Sequence, residues 1–170
     1  MKNIALITNY NITEKLGAAD AVAEAIGSRA ERILVPEQYK ERIFRARMHR
    51  SIYTYMPLSE IYDNADLAIV IGGDGSMLEC TRLAAPAGVA VLGINMGRIG
   101  YMTELEMDEL ELLDKVFSGD YTIDERAMLS VVIKSESGNV KFRAHALNEA
   151  VIANGAAARM VDIELYDGDE

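Results

Sequence analysis

The stretch "LAIVIGGDGSML", residues 67–78, runs from an apolar segment through glycines into a helical pattern. Residues 67–71 are a short apolar run that reads as a strand. Gly72, Gly73 and Gly75 follow at once, and residues 76–85 read as a helix stopped by Pro86 and Gly88. Strand, glycine turn and helix in that order make the basic joint of an open α/β sheet, and ligands of such sheets bind at the carboxyl ends of strands. Glycines let a backbone approach a phosphate, and the helix starting near Ser76 offers free amides. The spacing is not G-x-G-x-x-G, and no P-loop lysine follows. A tight turn without a ligand is therefore the competing reading. Asp74 weighs against it. Placed between glycines, its carboxylate would project from the strand end into the crevice. Beside phosphates a carboxylate can hold Mg²⁺, accept a hydroxyl proton, or hydrogen-bond a ribose. All three uses point to phosphoryl transfer or nucleotide binding.

The flanking sequence repeats the alternation. Residues 4–8 read as a first strand. Residues 13–26 read as a helix, with Leu16, Ala19, Val22, Ala23 and Ile26 at spacings of three and four, Thr13 as N-cap and Gly27 as C-cap. Residues 32–35 are a second strand stopped by Pro36, residues 67–71 a third and residues 89–95 a fourth. This pattern predicts a Rossmann-like parallel sheet. Between Gln38 and Tyr55 lie Lys40, Arg42, Arg45, Arg47, His49 and Arg50. That basic stretch reads as a solvated helix or loop, with a phosphate-contacting arm as the alternative. Residues 107–117 form an acidic amphipathic helix ending at Gly119.

Beyond that helix the texture becomes strand-like. Residues 128–134 and 140–152 flank "SESGN" (135–139), a hairpin signal, and residues 157–166 alternate as another strand. The expected division is therefore an α/β domain over 1–119 and the first strands of a β-rich domain over 120–170. Asp167–Gly168 is a hairpin signal with no returning strand, so that second domain is expected to be incomplete.

The 170 residues carry 17 Lys+Arg against 27 Asp+Glu, a formal net charge of −10. Such a chain lacks the field of a nucleic-acid or anionic-membrane binder, but local amides and a metal ion can still hold a small phosphate ligand. Cys80 is the only cysteine, which excludes an internal disulfide; on the helix after the turn it reads as a small core residue. The N-terminus reads as a strand rather than a signal peptide, and no run reaches the 18 or so apolar residues of a membrane span. A cytoplasmic protein is the expectation.

Two more stretches carry candidate chemistry. "GINMGRIGYMTE" (93–104) is a second glycine loop, leaving the neighbouring strand, with Arg98 as a cation beside Gly97 and Gly100. Phosphate contact and an ordinary surface arginine are both open readings of Arg98. "HALNEAVI" (145–152) breaks apolar alternation at Asn148 and Glu149. Neighbouring strand residues face opposite sides, so both can meet one site only where the strand bulges or ends.

"GGDGSML", "GINMGRIGYMTEL", "ERAMLSV" (125–131) and "ALNEAVI" (146–152), in that order, resemble the NAD kinase family. The first motif is shared with phosphofructokinases and diacylglycerol kinases; the ordered set of four is much more specific. The resemblance implies phosphorylation of the adenosine-ribose 2′-hydroxyl of NAD by ATP, with Mg²⁺ or another divalent metal. It implies that Asp74 accepts the hydroxyl proton and that Gly72, Gly73, Gly75 and Ser76 cradle phosphates. Leu78, Tyr101 and Met102 would shape the nucleoside pocket. Asn148 and Glu149 would contact ribose and phosphate or position the metal, which phosphates would hold with help from Asp74 or Glu149. A homo-oligomer is also implied. The family's later Gly-Asp-Gly and Thr-Pro-Thr-Gly-Ser stretches do not occur here, so the isolated chain is expected to be weakly active or inactive unless a partner chain supplies the rest. The competing readings are a non-catalytic nucleotide-binding or regulatory module and a lipid or sugar kinase sharing the GGDG motif.

Overall fold

The computed structural model describes residues 2–97, 100–153 and 162–167. In chain order the strands and helices are β1 (Asn3–Ile7), α1 (Thr13–Ile26), β2 (Arg32–Pro36), α2 (Lys40–Arg45), β3 (Tyr53–Met56), α3 (Leu58–Asn64), β4 (Leu67–Gly72), α4 (Asp74–Ala84), β5 (Ala90–Asn95), β6 (Leu105–Glu106) and α5 (Leu113–Ser118). A hairpin of β7 (Leu129–Lys134) and β8 (Val140–Ala146) follows. The first six strands form one sheet in the order β3-β2-β1-β4-β5-β6, every neighbouring pair parallel.

The period-two alternation of side chains splits the core into two layers. Ile4, Leu6, Ile33, Val35, Ile69 and Ile71 point to the face covered by α1 and α5. Ala5, Leu34, Ala68 and Val70 point to the other face, against Ile61 and Tyr62 of α3 and Met77, Cys80 and Ala84 of α4. Helices thus cover both faces, and all six residues of β4 are buried. That is why its sequence is a continuous apolar run rather than an alternating one. Each fully buried isoleucine stabilises the fold by roughly 2 kcal/mol relative to exposure.

The structure inserts a strand where the sequence suggested helix or loop. β3, "YTYM", pairs with β2 as the sheet edge, with Tyr53 opposite Ile33. Tyr53 is buried and the other three residues are half-buried, and two tyrosines and a threonine among the four leave no apolar run to mark the strand. The strand before the glycine turn is consequently the fourth, not the third. The basic stretch mostly fastens this edge. The Arg50 guanidinium meets Asp20 at 2.7 Å and Glu24 at 3.2 Å, both on α1. Arg45 pairs with Glu41, and the Lys40 ammonium sits over the Tyr55 ring. Phe44 stacks on His49 at 4.3 Å. Arg42 also turns to α1, donating to the Thr13 hydroxyl at 3.1 Å. Thr13 is the first helical residue rather than the N-cap; Ile12 holds that position without a side-chain cap. Gly27 caps the other end, as expected, with φ 54°.

Three further boundaries move. The helix expected over 107–117 is reduced to a 3₁₀ turn at Leu110–Leu112 and α5. Ahead of it, Glu109 Oε2 accepts the Glu106 amide at 2.9 Å, a local bond that competes with helix. Gly119 ends α5 with φ 80°, a left-handed cap that favours glycine. β8 stops at Ala146, well short of Ile152. Of the strand expected over 157–166, residues 157–161 lie outside the described residues, and 162–166 belong to no strand; Gly168 is likewise outside them.

The hairpin at 135–139 forms as expected. Ser135 donates its amide to the Asn139 carbonyl at 2.9 Å, and Gly138 takes φ 82°. Unlike the large sheet, this hairpin keeps Leu129, Ile133, Val140 and Phe142 exposed. Among the described residues, no helix is long and apolar enough to cross a membrane.

Candidate functional site

Sheet order creates the crevice. β1 and β4 are central neighbours, and the chain leaves β1 toward β2 but β4 toward β5. Between two strands whose connections run in opposite directions, the carboxyl ends are left uncovered. α1 and α4 begin there, one on each face of the sheet.

The glycine turn lies on one side of this opening. Gly72 is the last residue of β4 and pairs with Asn95 of β5. Gly73 is the N-cap of α4 in an extended conformation, with no side-chain cap. The helix starts at Asp74, two residues earlier than the sequence suggested. The carbonyl of Gly73 accepts the amides of Ser76 at 2.9 Å and Met77 at 3.1 Å, so the amides of Asp74 and Gly75 lie in the first turn, where no helical acceptor exists. None of the three glycines has a positive φ. Gly72 is required by close approach: a Cβ there would stand 2.7 Å from Ser76 Cβ. Among the described residues, no atom beyond the chain neighbours and the helix's own backbone lies within 4 Å of such a Cβ at Gly73 or Gly75. The open space beside the free amides has room for a phosphate.

Asp74 does not project freely. Its Oδ1 accepts the amide of Tyr101 at 3.1 Å and that of Met102 at 3.0 Å. The carboxylate therefore bridges the two glycine loops, and its other oxygen takes no hydrogen bond among the described residues.

A polar network that the sequence reading missed shapes the second loop. Asn95 is only 4% exposed. Its Oδ1 accepts the Gly97 amide at 2.9 Å and its amide group donates to Glu106 Oε1 at 2.9 Å. Glu104 Oε2 accepts the Gly93 amide at 2.6 Å, and Met96 donates its amide to the Gly72 carbonyl at 3.0 Å. A buried polar side chain without partners is costly, so a well-partnered Asn95 holds the loop in one shape. The available signal was an asparagine ending an apolar strand directly before a glycine loop.

The remaining candidates separate. Tyr101 is 83% exposed. Met102 lines a cavity of about 540 Å³ with Met77, Thr81, Glu104, Arg126 and Leu147. Leu78 is half-buried and does not line it. Asn148 and Glu149 are exposed just beyond the end of β8, so strand alternation no longer forces them apart. Leu147, immediately before them, brings this segment to the cavity. Arg98 lies outside the described residues. Cys80 is 1% exposed, and burial pushes its thiol up to about 11, beside the Tyr62 hydroxyl at 3.5 Å; it is a core residue and not a nucleophile. Among the described residues, no group of three or more His, Cys, Asp or Glu side chains could hold a metal by itself.

Comparison with known proteins agrees with this geometry. The family model "ATP-NAD kinase N-terminal domain" matches residues 4–121, from β1 through both glycine loops. The chain is 34% identical over 168 residues to an NAD kinase of Thermoanaerobacter sp., covering 98% of this chain and 56% of that protein. It is 36% identical over 165 residues to an NAD kinase of Geobacter metallireducens, covering 96% and 55%. The chain thus spans about half the length of the curated relatives it matches. Yeast NADH kinase, solved in complex with NADH, shares the fold with a TM-score of 0.75 at 18% identity, over 87% of this chain and 47% of that one. An α/β sheet with paired glycine loops at its central crevice, matched from β1 through both loops by one family model, makes this chain a member of the NAD kinase family.

Proposed function

We propose that this chain carries the phosphate turn and the proton acceptor for phosphorylating the adenosine-ribose 2′-hydroxyl of NAD with ATP, giving NADP and ADP. The 2′-oxygen attacks the γ-phosphorus, the bond to the β-phosphate oxygen breaks, and the hydroxyl proton passes to Asp74. The observation that carries this reading is the tethering of Asp74. With Oδ1 held by the amides of Tyr101 and Met102, the other oxygen is fixed in direction and left for a hydroxyl. Positioning of this kind is most of what phosphoryl-transfer catalysis asks of a protein.

Gly72, Gly73, Gly75 and Ser76 bind phosphate through the turn. Leu78, Tyr101 and Met102 shape the nucleoside pocket. Arg98 contacts phosphate, and Asn148 and Glu149 contact ribose and phosphate. A divalent metal fits the donor set present. Mg²⁺ commonly takes one or two carboxylates, substrate phosphates and water rather than a protein cage. Asp74 or Glu149 would supply the carboxylate, and the metal would neutralise charge on the transferring phosphate. On the resemblance, the protein works in the cytoplasm as a homo-oligomer.

The test compares the chain with Asp74→Asn, following NADP formation chromatographically and NAD binding by calorimetry. The asparagine keeps an oxygen for the two amides but cannot take a proton. The reading expects turnover to fall at least about a hundredfold while NAD binding persists. Equal turnover in both proteins overturns the proposed role of Asp74. Tight NAD binding with no NADP formed in either, even in a single turnover with enzyme in excess, favours a non-catalytic nucleotide-binding module.

A further inference from the structure

Lys15, the third residue of α1, reaches across the central crevice to the back of the glycine turn. Its Nζ lies 3.7 Å from the point where a Cβ on Gly72 would stand, and Ser76 Oγ crowds the same point. The ammonium is thus beside the last residue of β4 although it comes from the helix that follows β1.

The side chain is half-buried, and among the described residues no carboxylate lies within ion-pair distance of it. This holds in a chain with ten more acidic than basic residues, in which Lys2, Arg29, Arg45, Arg50 and Arg126 all find carboxylates. A lysine serving solubility carries its charge out to water. Lys15 places a compact cation beside a turn whose first helical amides have no helical acceptor.

Asp74 is tied to a different element. Its carboxylate is held by the loop that follows β5, whereas Lys15 approaches from the β1 side. The turn is therefore met by a cation from the β1 side and an anion held from the β5 side. A triphosphate is repelled by the second and drawn to the first; a neutral ribose hydroxyl meets no such repulsion at Asp74.

We propose that Lys15 binds the terminal phosphates of the phosphoryl donor, which lies over Gly72 on the β1 side, while the acceptor hydroxyl meets Asp74 on the β5 side. The assignment rests on the kinase reading above and adds to it where the donor sits.

Calorimetric titrations of the chain with MgATP, inorganic tripolyphosphate and NAD separate the possibilities. Lys15→Met is expected to weaken MgATP and tripolyphosphate about tenfold and to change NAD affinity less than about twofold. Lys15→Arg, which keeps the charge, should recover most of the loss and guards against a folding defect in the methionine variant. Lys40→Met, which removes a charge that sits over Tyr55, should alter none of the three. Unchanged MgATP affinity in Lys15→Met, or an equal loss for NAD, overturns the assignment. NADP formation with a Lys15-independent donor affinity sinks this inference and leaves the kinase reading standing. Lys15-dependent tripolyphosphate binding with NADP formation unchanged in Asp74→Asn does the reverse. Failure of the parent chain to bind any of the three ligands overturns both.

Discussion

Asp74 Oδ1 accepts the backbone amide of Met102 at 3.0 Å across 28 positions of sequence. With the companion bond from Tyr101, this contact makes one structure of two glycine loops. The motif carboxylate thus has an architectural duty alongside its proposed chemical one. Asp74→Ala should raise hydrogen-exchange rates of the Tyr101 and Met102 amides about tenfold, whereas Asp74→Asn, which retains an acceptor, should leave them nearly protected. Equal exchange in the alanine variant and the parent would show that the bridge does not order the loop.

Glycines at two positions predict opposite changes in stability. A Cβ on Gly93 would lie 2.6 Å from Met77 Sδ and 3.0 Å from the Thr103 Cα, a backbone atom that cannot swing aside. Gly93→Ala is expected to destabilise by about 1–3 kcal/mol. Gly17 lies inside α1, and among the described residues nothing beyond the helix's own backbone and chain neighbours stands within 4 Å of the place an alanine methyl would take. Gly17→Ala should stabilise by about 0.5–1 kcal/mol, through helix propensity and a less free unfolded chain. Urea denaturation measures both, and a stabilised Gly93→Ala would contradict the packing described.

Cys80 is expected to be inert while the chain is folded. Burial raises its thiol to about 11, and almost no surface is open to a reagent. At about pH 8 a disulfide-exchange reagent should label the native protein only at the rate of unfolding and should find one full thiol in denaturant. Rapid labelling of the native state would place Cys80 at the surface.

Asp66 contributes a pH-dependent tie at the start of the sheet. Its Oδ2 accepts the amides of Lys2 at 2.6 Å and Asn3 at 2.9 Å. The Asn3 bond first, then the Lys2 bond, hold the carboxyl below its ordinary range. A carboxyl lowered in the folded state stabilises above its unfolded range and loses that contribution as pH falls through the folded value. Because Asp66 is largely open to solvent, the effect is small. Asp66→Asn should lower Tm by roughly 2 °C at neutral pH, with the gap closing in strong acid. A gap independent of pH would assign the effect to something other than charge.

Much of the fold could be read directly because the residues concerned are apolar and local. The apolar run before Gly72 announced a strand, and Leu16, Val22 and Ile26 marked a one-sided helix. β3 escaped because an edge strand of tyrosines and a threonine has no apolar period. The helix read over 107–117 is real only in its second half, as α5, because the Glu106–Glu109 turn interrupts the pattern ahead of it. For the site, Gly72 and Asp74 stood out by type and spacing. Asn95, Glu104 and Lys15 did not, since each acts through a partner far along the chain or on another element.

The order of residues thus carried the sheet alternation, the glycine turn and the presence of a carboxylate within it, because backbone periodicity and turn chemistry act over a few positions. Tertiary structure assigned the neighbours. Only the placing of β4 beside β1 brings Lys15 to Gly72, and only the return of the chain after β5 presents the Tyr101 and Met102 amides to Asp74. Electrostatic and hydrogen-bond contacts fall off over a few ångströms of space, and no spacing along the sequence encodes those distances.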